Sequence, residues 1–90
     1  MRFTDKVVVV TGAGGGIGEA YARRCAAEGM QVIIAEQNEA QGQRVADDIC
    51  SGGGSAVSIA TDVADEQSCL ACAAAAAERF GHIDYLINNA

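Results

Sequence analysis

Four short apolar runs punctuate the chain, and the segments between them repeat at the three- and four-residue steps of a helix. The first run, Lys6 to Thr11, holds four consecutive valines and ends at a glycine cluster. A β-branched run that is apolar throughout predicts a strand covered on both faces, as in parallel sheets. Beyond Gly12 to Gly18, the residues Ile17, Ala20, Tyr21 and Cys25 fall at helical spacing. Arg23, Arg24 and Glu28 occupy the intervening, exposed positions, and Gly29 stops the helix. A second buried strand is expected over Met30 to Ala35, ending at Glu36. Asn38 then caps a polar helix reaching about Cys50, with Ala40, Val45, Ala46 and Ile49 as its buried face.

Ser51 to Ser55 contains three consecutive glycines and reads as a loop. A weaker strand follows over Ala56 to Ala60, and Thr61-Asp62-Val63 leaves it. Asp65 caps the next helix, Glu66 to Phe80, where alanine supplies high propensity and Gly81 ends the run. Ile83 to Ile87 is the fourth strand, followed by Asn88-Asn89-Ala90. The order is therefore β-α-β-α-β-α-β. Strands separated by helices demand parallel, right-handed crossovers. Three of them predict an α/β fold, a doubly wound parallel sheet in strand order 3-2-1-4. Its ligand crevice is expected between strands one and four, at the carboxyl ends.

Composition narrows the picture. Half of the ninety residues are hydrophobic, but eighteen of them are alanine and only four are aromatic, so the core must be light. Twelve acids against six bases give a charge of −6, which argues against nucleic acid and anionic membrane as partners. Val7 to Val10 is too short for the apolar region of a signal peptide. The apolar stretch Ala71 to Ala77 falls far short of the roughly 20 residues a membrane span needs, and so does its extension back to Cys69. These features lead us to expect a soluble, cytoplasmic protein. Of the four cysteines, Cys69 and Cys72 form C-x-x-C, yet a structural zinc needs four ligands and His82 is the sole histidine. Cys25 and Cys50 lie in helical patterns, where cysteine serves as a small buried hydrophobe. No metal and no disulfide framework are expected.

The candidate chemistry sits in Thr11-Gly12-Ala13-Gly14-Gly15-Gly16-Ile17-Gly18, between a strand and a helix. There a pyrophosphate would meet unpaired amides at the positive end of the helix dipole, and glycine lets the backbone approach it closely. By itself the cluster also fits a flexible turn. G-x-G-x-x-G is not met, because its third glycine falls on Ile17. G-x-x-x-G-x-G is met, by Gly12, Gly16 and Gly18.

At this point the chain resembles the short-chain dehydrogenase/reductase family, whose fingerprint is T-G-x-x-x-G-[IL]-G. Three further motifs agree in order and spacing. Glu36 ends strand two, Asp62-Val63 follows strand three, and Asn88-Asn89-Ala90 resembles the family's N-N-A-G without its last glycine. The resemblance spans the chain and implies a Rossmann-like fold. Residues 1–90 would then be the N-terminal part of a single, incomplete dinucleotide-binding domain.

It also implies a cofactor site made of Gly12, Gly14, Gly15, Gly16, Ile17, Gly18, Glu36, Asp62, Val63, Asn89 and Ala90. Glu36 lies eighteen residues after Gly18, near the distance at which an acid meets the adenosine ribose. A carboxylate accepts from both ribose hydroxyls of NAD and repels the 2′-phosphate of NADP. Gly15 and Gln37, where NADP-preferring relatives carry a cation, are uncharged, so NAD is the expected cofactor. Asp62 would bond the adenine amino group, or serve as a local turn or helix cap. The Val63 backbone would meet the adenine ring. Asn88 would tie the central strands, and the backbone near Ala90 would pass the ribose. Ile17 would cover the cofactor, although its position reads more readily as core. His82 and Asp84 are expected to be surface or turn residues.

Hydride transfer in this family depends on a Tyr-x-x-x-Lys pair with a serine, located beyond the fourth strand. Neither Tyr21, followed four residues on by Cys25, nor Tyr85, followed by Asn89, supplies it, and Lys6 is the sole lysine. No catalytic residue is therefore assigned. The resemblance implies the NAD-binding half of an enzyme that transfers hydride between NAD(H) and a secondary alcohol or carbonyl substrate, inactive alone. The alternative is a non-catalytic nucleotide-binding module, or one that self-associates through the open edge of strand 83–87.

Overall fold

The computed structural model describes residues 4–89. The elements run β1 (Val7–Thr11), α1 (Gly16–Ala27), β2 (Gln31–Glu36), α2 (Glu39–Ser51), β3 (Ser55–Ala60), α3 (Glu66–Phe80) and β4 (Tyr85–Ile87). The four strands are parallel and ordered β3-β2-β1-β4, as the alternation of strand and helix predicts. Val9 lies opposite Ile33 on one side and Leu86 on the other. The order reverses between β1 and β4, so the carboxyl end of β1 opens onto the switch point.

Every residue of β1 is buried because the sheet is covered on both faces. Val8, Val10, Val32 and Ile34 face α1 and α2, meeting Ala22, Val45, Ala46 and Ile49. Val7, Val9, Ile33 and Ala35 face α3, meeting Cys72 and Ala76. The alanines let the helices lie close to the strands, which is how so light a core is filled.

Two helix faces differ from the sequence expectation. The buried stripe of α1 runs through Gly18 and Ala22, leaving Tyr21 exposed and Ile17 65% exposed. Ile17 is therefore no core residue here. The cause is proximity: a Cβ on Gly18 would overlap the Gly12 carbonyl oxygen, so only a residue without a side chain fits where α1 meets β1. In α2 the buried face is Gly42, Val45, Ala46 and Ile49, and Ala40 is exposed. Again the contact is too close for a side chain, since a Cβ on Gly42 would lie 2.5 Å from Ser58 Oγ and 3.1 Å from Glu36 Cβ. Cys50, on the outer side of that helix, is exposed rather than buried; Cys25 is half-buried.

The helix ends follow their capping residues. Asn38 accepts from the Gln41 amide at 3.1 Å, and Asp65 from the Gln67 amide at 2.9 Å. β4 begins at Tyr85, two residues later than the apolar run suggests. Asp84 is the reason: its carboxylate accepts the Val7 amide at 2.8 Å while its own amide bonds the Val7 carbonyl. His82 sits beside it, with Nε2 3.0 Å from Asp84 Oδ2. Both belong to this clasp at the amino-terminal end of the sheet, opposite the crevice.

Candidate cofactor-binding site

The site grows out of the turn joining β1 to α1. Gly12 and Gly16 have φ of +64° and +58°, a left-handed backbone that side chains resist, and this turns the chain sharply out of the sheet. Gly15 caps α1 without any side-chain bond, and the first backbone bond of the helix runs from the Glu19 amide to the Gly15 carbonyl at 3.2 Å. Among the described residues, the amides of Gly16, Ile17 and Gly18 thus have no partner. A Cβ on Gly15 or Gly16 would meet nothing within 4 Å, so the entrance to the helix is open. Unpaired donors at an open helix start suit an anion.

Glu36, at the carboxyl end of β2, reaches this turn. Its Oε1 accepts from the Gly14 amide at 2.9 Å and its Oε2 from the Asn38 amide at 2.9 Å. A Cβ on Gly14 would lie 2.7 Å from the Glu36 side chain, so the glycine there makes room for the acid. The carboxylate retains acceptor capacity beyond these two bonds, because each oxygen carries a further lone pair. A pocket of about 110 Å³ lies alongside, lined by Gly12, Ala35, Glu36, Gln37, Thr61 and Val63. It adjoins a larger apolar groove of about 270 Å³ between the sheet and α3, lined in part by Val9, Cys72, Leu86 and Asn88.

Asp62 lies at the exit of β3, where its Oδ1 accepts from the Ala64 amide at 3.0 Å. Its amide donates to Ser68 Oγ at 2.8 Å. The local turn role is thus realised, and Val63 is left exposed on the pocket wall. On the other flank, Thr11 ties β1 to the end of β4. Its Oγ1 accepts from the Asn89 amide at 2.8 Å and lies 3.1 Å from Asn88 Oδ1. The Asn89 side chain reaches the start of α1, where a Cβ on Gly18 would lie 2.8 Å from Nδ2. Ala90 lies outside the described residues.

Gly12, Glu36 and Val63 therefore share one pocket, Gly14 touches Glu36, and Asn89 touches Gly18. Ile17 stands exposed at the entrance to the helix. The sequence names Thr11 only as the first residue of the fingerprint and gives Arg44 no role, although both bond to the turn or its neighbours. Thr11 carried a signal, a hydroxyl ending an otherwise apolar strand. Arg44 carried none, being one of several polar residues on an exposed helix face. Among the described residues no group of three or more His, Cys, Asp or Glu side chains is arranged to hold a metal. None of the described helices is long and apolar enough to cross a membrane.

A parallel sheet reversing its order beside a glycine-rich strand-to-helix turn defines the nucleotide-binding class of α/β proteins. The particular family is shown by comparison: the short chain dehydrogenase model matches residues 6–90, and the chain belongs to that family. It is 43% identical over 94 aligned positions to the L-rhamnose 1-dehydrogenase (NAD(P)(+)) of Azotobacter vinelandii, covering 100% of this chain and 37% of that protein. It is 46% identical to the meso-2,3-butanediol dehydrogenase of Serratia marcescens, covering 100% of this chain and 35% of that protein. The chain thus spans about a third of the length of the curated relatives it matches. Among solved structures, a short chain dehydrogenase/reductase from Burkholderia phymatum in complex with NAD superposes with a TM-score of 0.90 at 36% identity, covering 96% of this chain and 31% of that one. A hydroxysteroid dehydrogenase from Escherichia coli gives 0.94 at 34% identity, covering 97% and 37%.

Proposed function

We propose that this chain is the NAD-binding, N-terminal part of a short-chain dehydrogenase acting on a secondary alcohol or the corresponding carbonyl compound. The single observation that carries the reading is the placement of Glu36 against a turn whose following amides are unpaired and open. In this reading the amides of Gly15, Gly16, Ile17 and Gly18 hold the diphosphate, with Gly12 and Gly14 shaping the turn. Glu36 accepts from the adenosine ribose hydroxyls. Asp62 and the Val63 backbone border the adenine, and Asn89 borders the ribose on the β4 side.

A bound nicotinamide cofactor supplies the hydride acceptor or donor. The residues of this chain supply binding and orientation, while the Tyr-x-x-x-Lys chemistry of the family does not occur among the ninety residues. The chain alone is accordingly expected to bind nucleotide without turning over substrate. A cytoplasmic location accords with this reading.

The preference for NAD over NADP rests on charge. A carboxylate at the ribose opposes a 2′-phosphate, and neither Gly15 nor Gln37 offers a compensating cation. Glu36→Arg tests this. Fluorescence titration should show the unaltered chain binding NADH more tightly than NADPH, by about tenfold or more. The variant should lose or invert that order. Equal affinities in the unaltered chain would contradict the assignment of Glu36.

A further inference from the structure

Gly14 is gripped at both of its polar atoms by side chains from two different elements. Its amide donates to Glu36 Oε1 at 2.9 Å, and its carbonyl accepts from Arg44 Nη2 at 3.3 Å. Arg44 comes from α2, which the polar pattern marks only as a solvated helix. Its guanidinium also bonds Glu19 Oε1 at 3.1 Å, in the first turn of α1. Glu19 is bound in turn by Arg23 at 2.8 Å, and Arg23 and Arg44 both reach Asp48.

Resting on the reading of the turn as a diphosphate site, we propose that Arg44 is a positioning residue for nucleotide binding, fixing the Gly14–Gly15 peptide so that the Gly15 amide faces the open entrance of α1. The peptide group is planar, with its carbonyl and amide pointing in opposite directions. A carbonyl turned toward Arg44 on α2 therefore sends the Gly15 amide away from α2, at a residue around which an added Cβ would meet nothing within 4 Å. The same guanidinium, with Arg23, offsets the charge of Glu19, a carboxylate close to where a diphosphate would bind.

Stability alone does not explain the arrangement. Arg44 is half-exposed, and exposed ion pairs contribute little to folding. Its removal should therefore leave the fold intact and disturb the turn. The test compares the 90-residue chain with Arg44→Ala and Arg44→Lys, by the nuclear magnetic resonance of the Gly15 amide without nucleotide and by titration with NADH.

Arg44→Ala should move the Gly15 resonance in the free chain and weaken NADH binding about tenfold, with little change in the thermal midpoint. Arg44→Lys should restore part of both. An unmoved Gly15 resonance overturns the proposal even if binding weakens, because attraction by a distant charge would then account for the effect. Unchanged binding with a moved resonance overturns it as well. If the unaltered chain takes up no NADH, the reading of the site fails, and the proposed role of Arg44 in binding falls with it.

Discussion

A glycine inside a helix ordinarily destabilises it by about 1 kcal/mol relative to alanine. At Gly18 the sign should reverse, because the added Cβ would overlap the Gly12 carbonyl, which is main chain and has no rotamer to retreat into. Gly18→Ala is expected to destabilise the chain by roughly 1–3 kcal/mol, the scale of overpacking at a tight contact. Urea unfolding measures it, and a variant as stable as the parent would mean that α1 does not approach β1 so closely. The same contact explains why Ile17 was misplaced. Spacing alone puts Ile17 inward, whereas at Gly18 the helix lies too near the strand to accept any side chain.

α1 and α2 are joined by charges as well as by the apolar cluster they share. Arg23, hydrogen-bonded to Glu19, and then Arg44 hold that carboxyl below its ordinary value of 4.5. Glu19 raises the Arg23 guanidinium correspondingly, followed by Asp48. A carboxyl lowered by folding stabilises the native state above its unfolded value and loses that contribution as pH falls through its folded one. The stability difference between the chain and Glu19→Gln should therefore narrow on acidification from neutral pH to about pH 3. Denaturation midpoints read this, and a difference independent of pH would exclude the ion network as its source.

Element by element, the alternation of apolar runs with helical spacing was enough to order the sheet, and Asn38, Asp65 and Gly81 marked helix ends. The faces of α1 and α2 were less legible. Their tightest contacts are made by Gly18 and Gly42, residues that a hydrophobic pattern cannot register. β4 starts late because Asp84 replaces a ladder bond with a side-chain bond, again invisible to an apolar run. In the site, the glycine turn, Glu36 and Asn89 were readable because the family motif names them. The bond from Arg44 to Gly14 was not, since it joins residues thirty apart through a helix whose rotation the sequence leaves open.

At the scale of the molecule, β4 lies at the edge of the sheet, paired with β1, with no strand among the described residues on its other side. Leu86 is 65% exposed there, and Ile83, which lines the same groove, is exposed as well. We propose that the isolated chain self-associates through this edge, since open strands of apolar character invite pairing. Sedimentation velocity should show mass increasing with concentration, and Leu86→Lys should suppress it. A strictly monomeric profile at high concentration would contradict the proposal.

Nucleotide binding in this fold turns on the amides at the start of α1. Titrating NADH into the isotope-labelled chain, and following each glycine amide by nuclear magnetic resonance, addresses them one by one. Gly15, Gly16 and Gly18 are expected to shift together and saturate, while Gly52 and Gly53 at the far end of α2 stay still. Glycine amides unmoved up to millimolar NADH, or shifts confined to some other part of the fold, would contradict it.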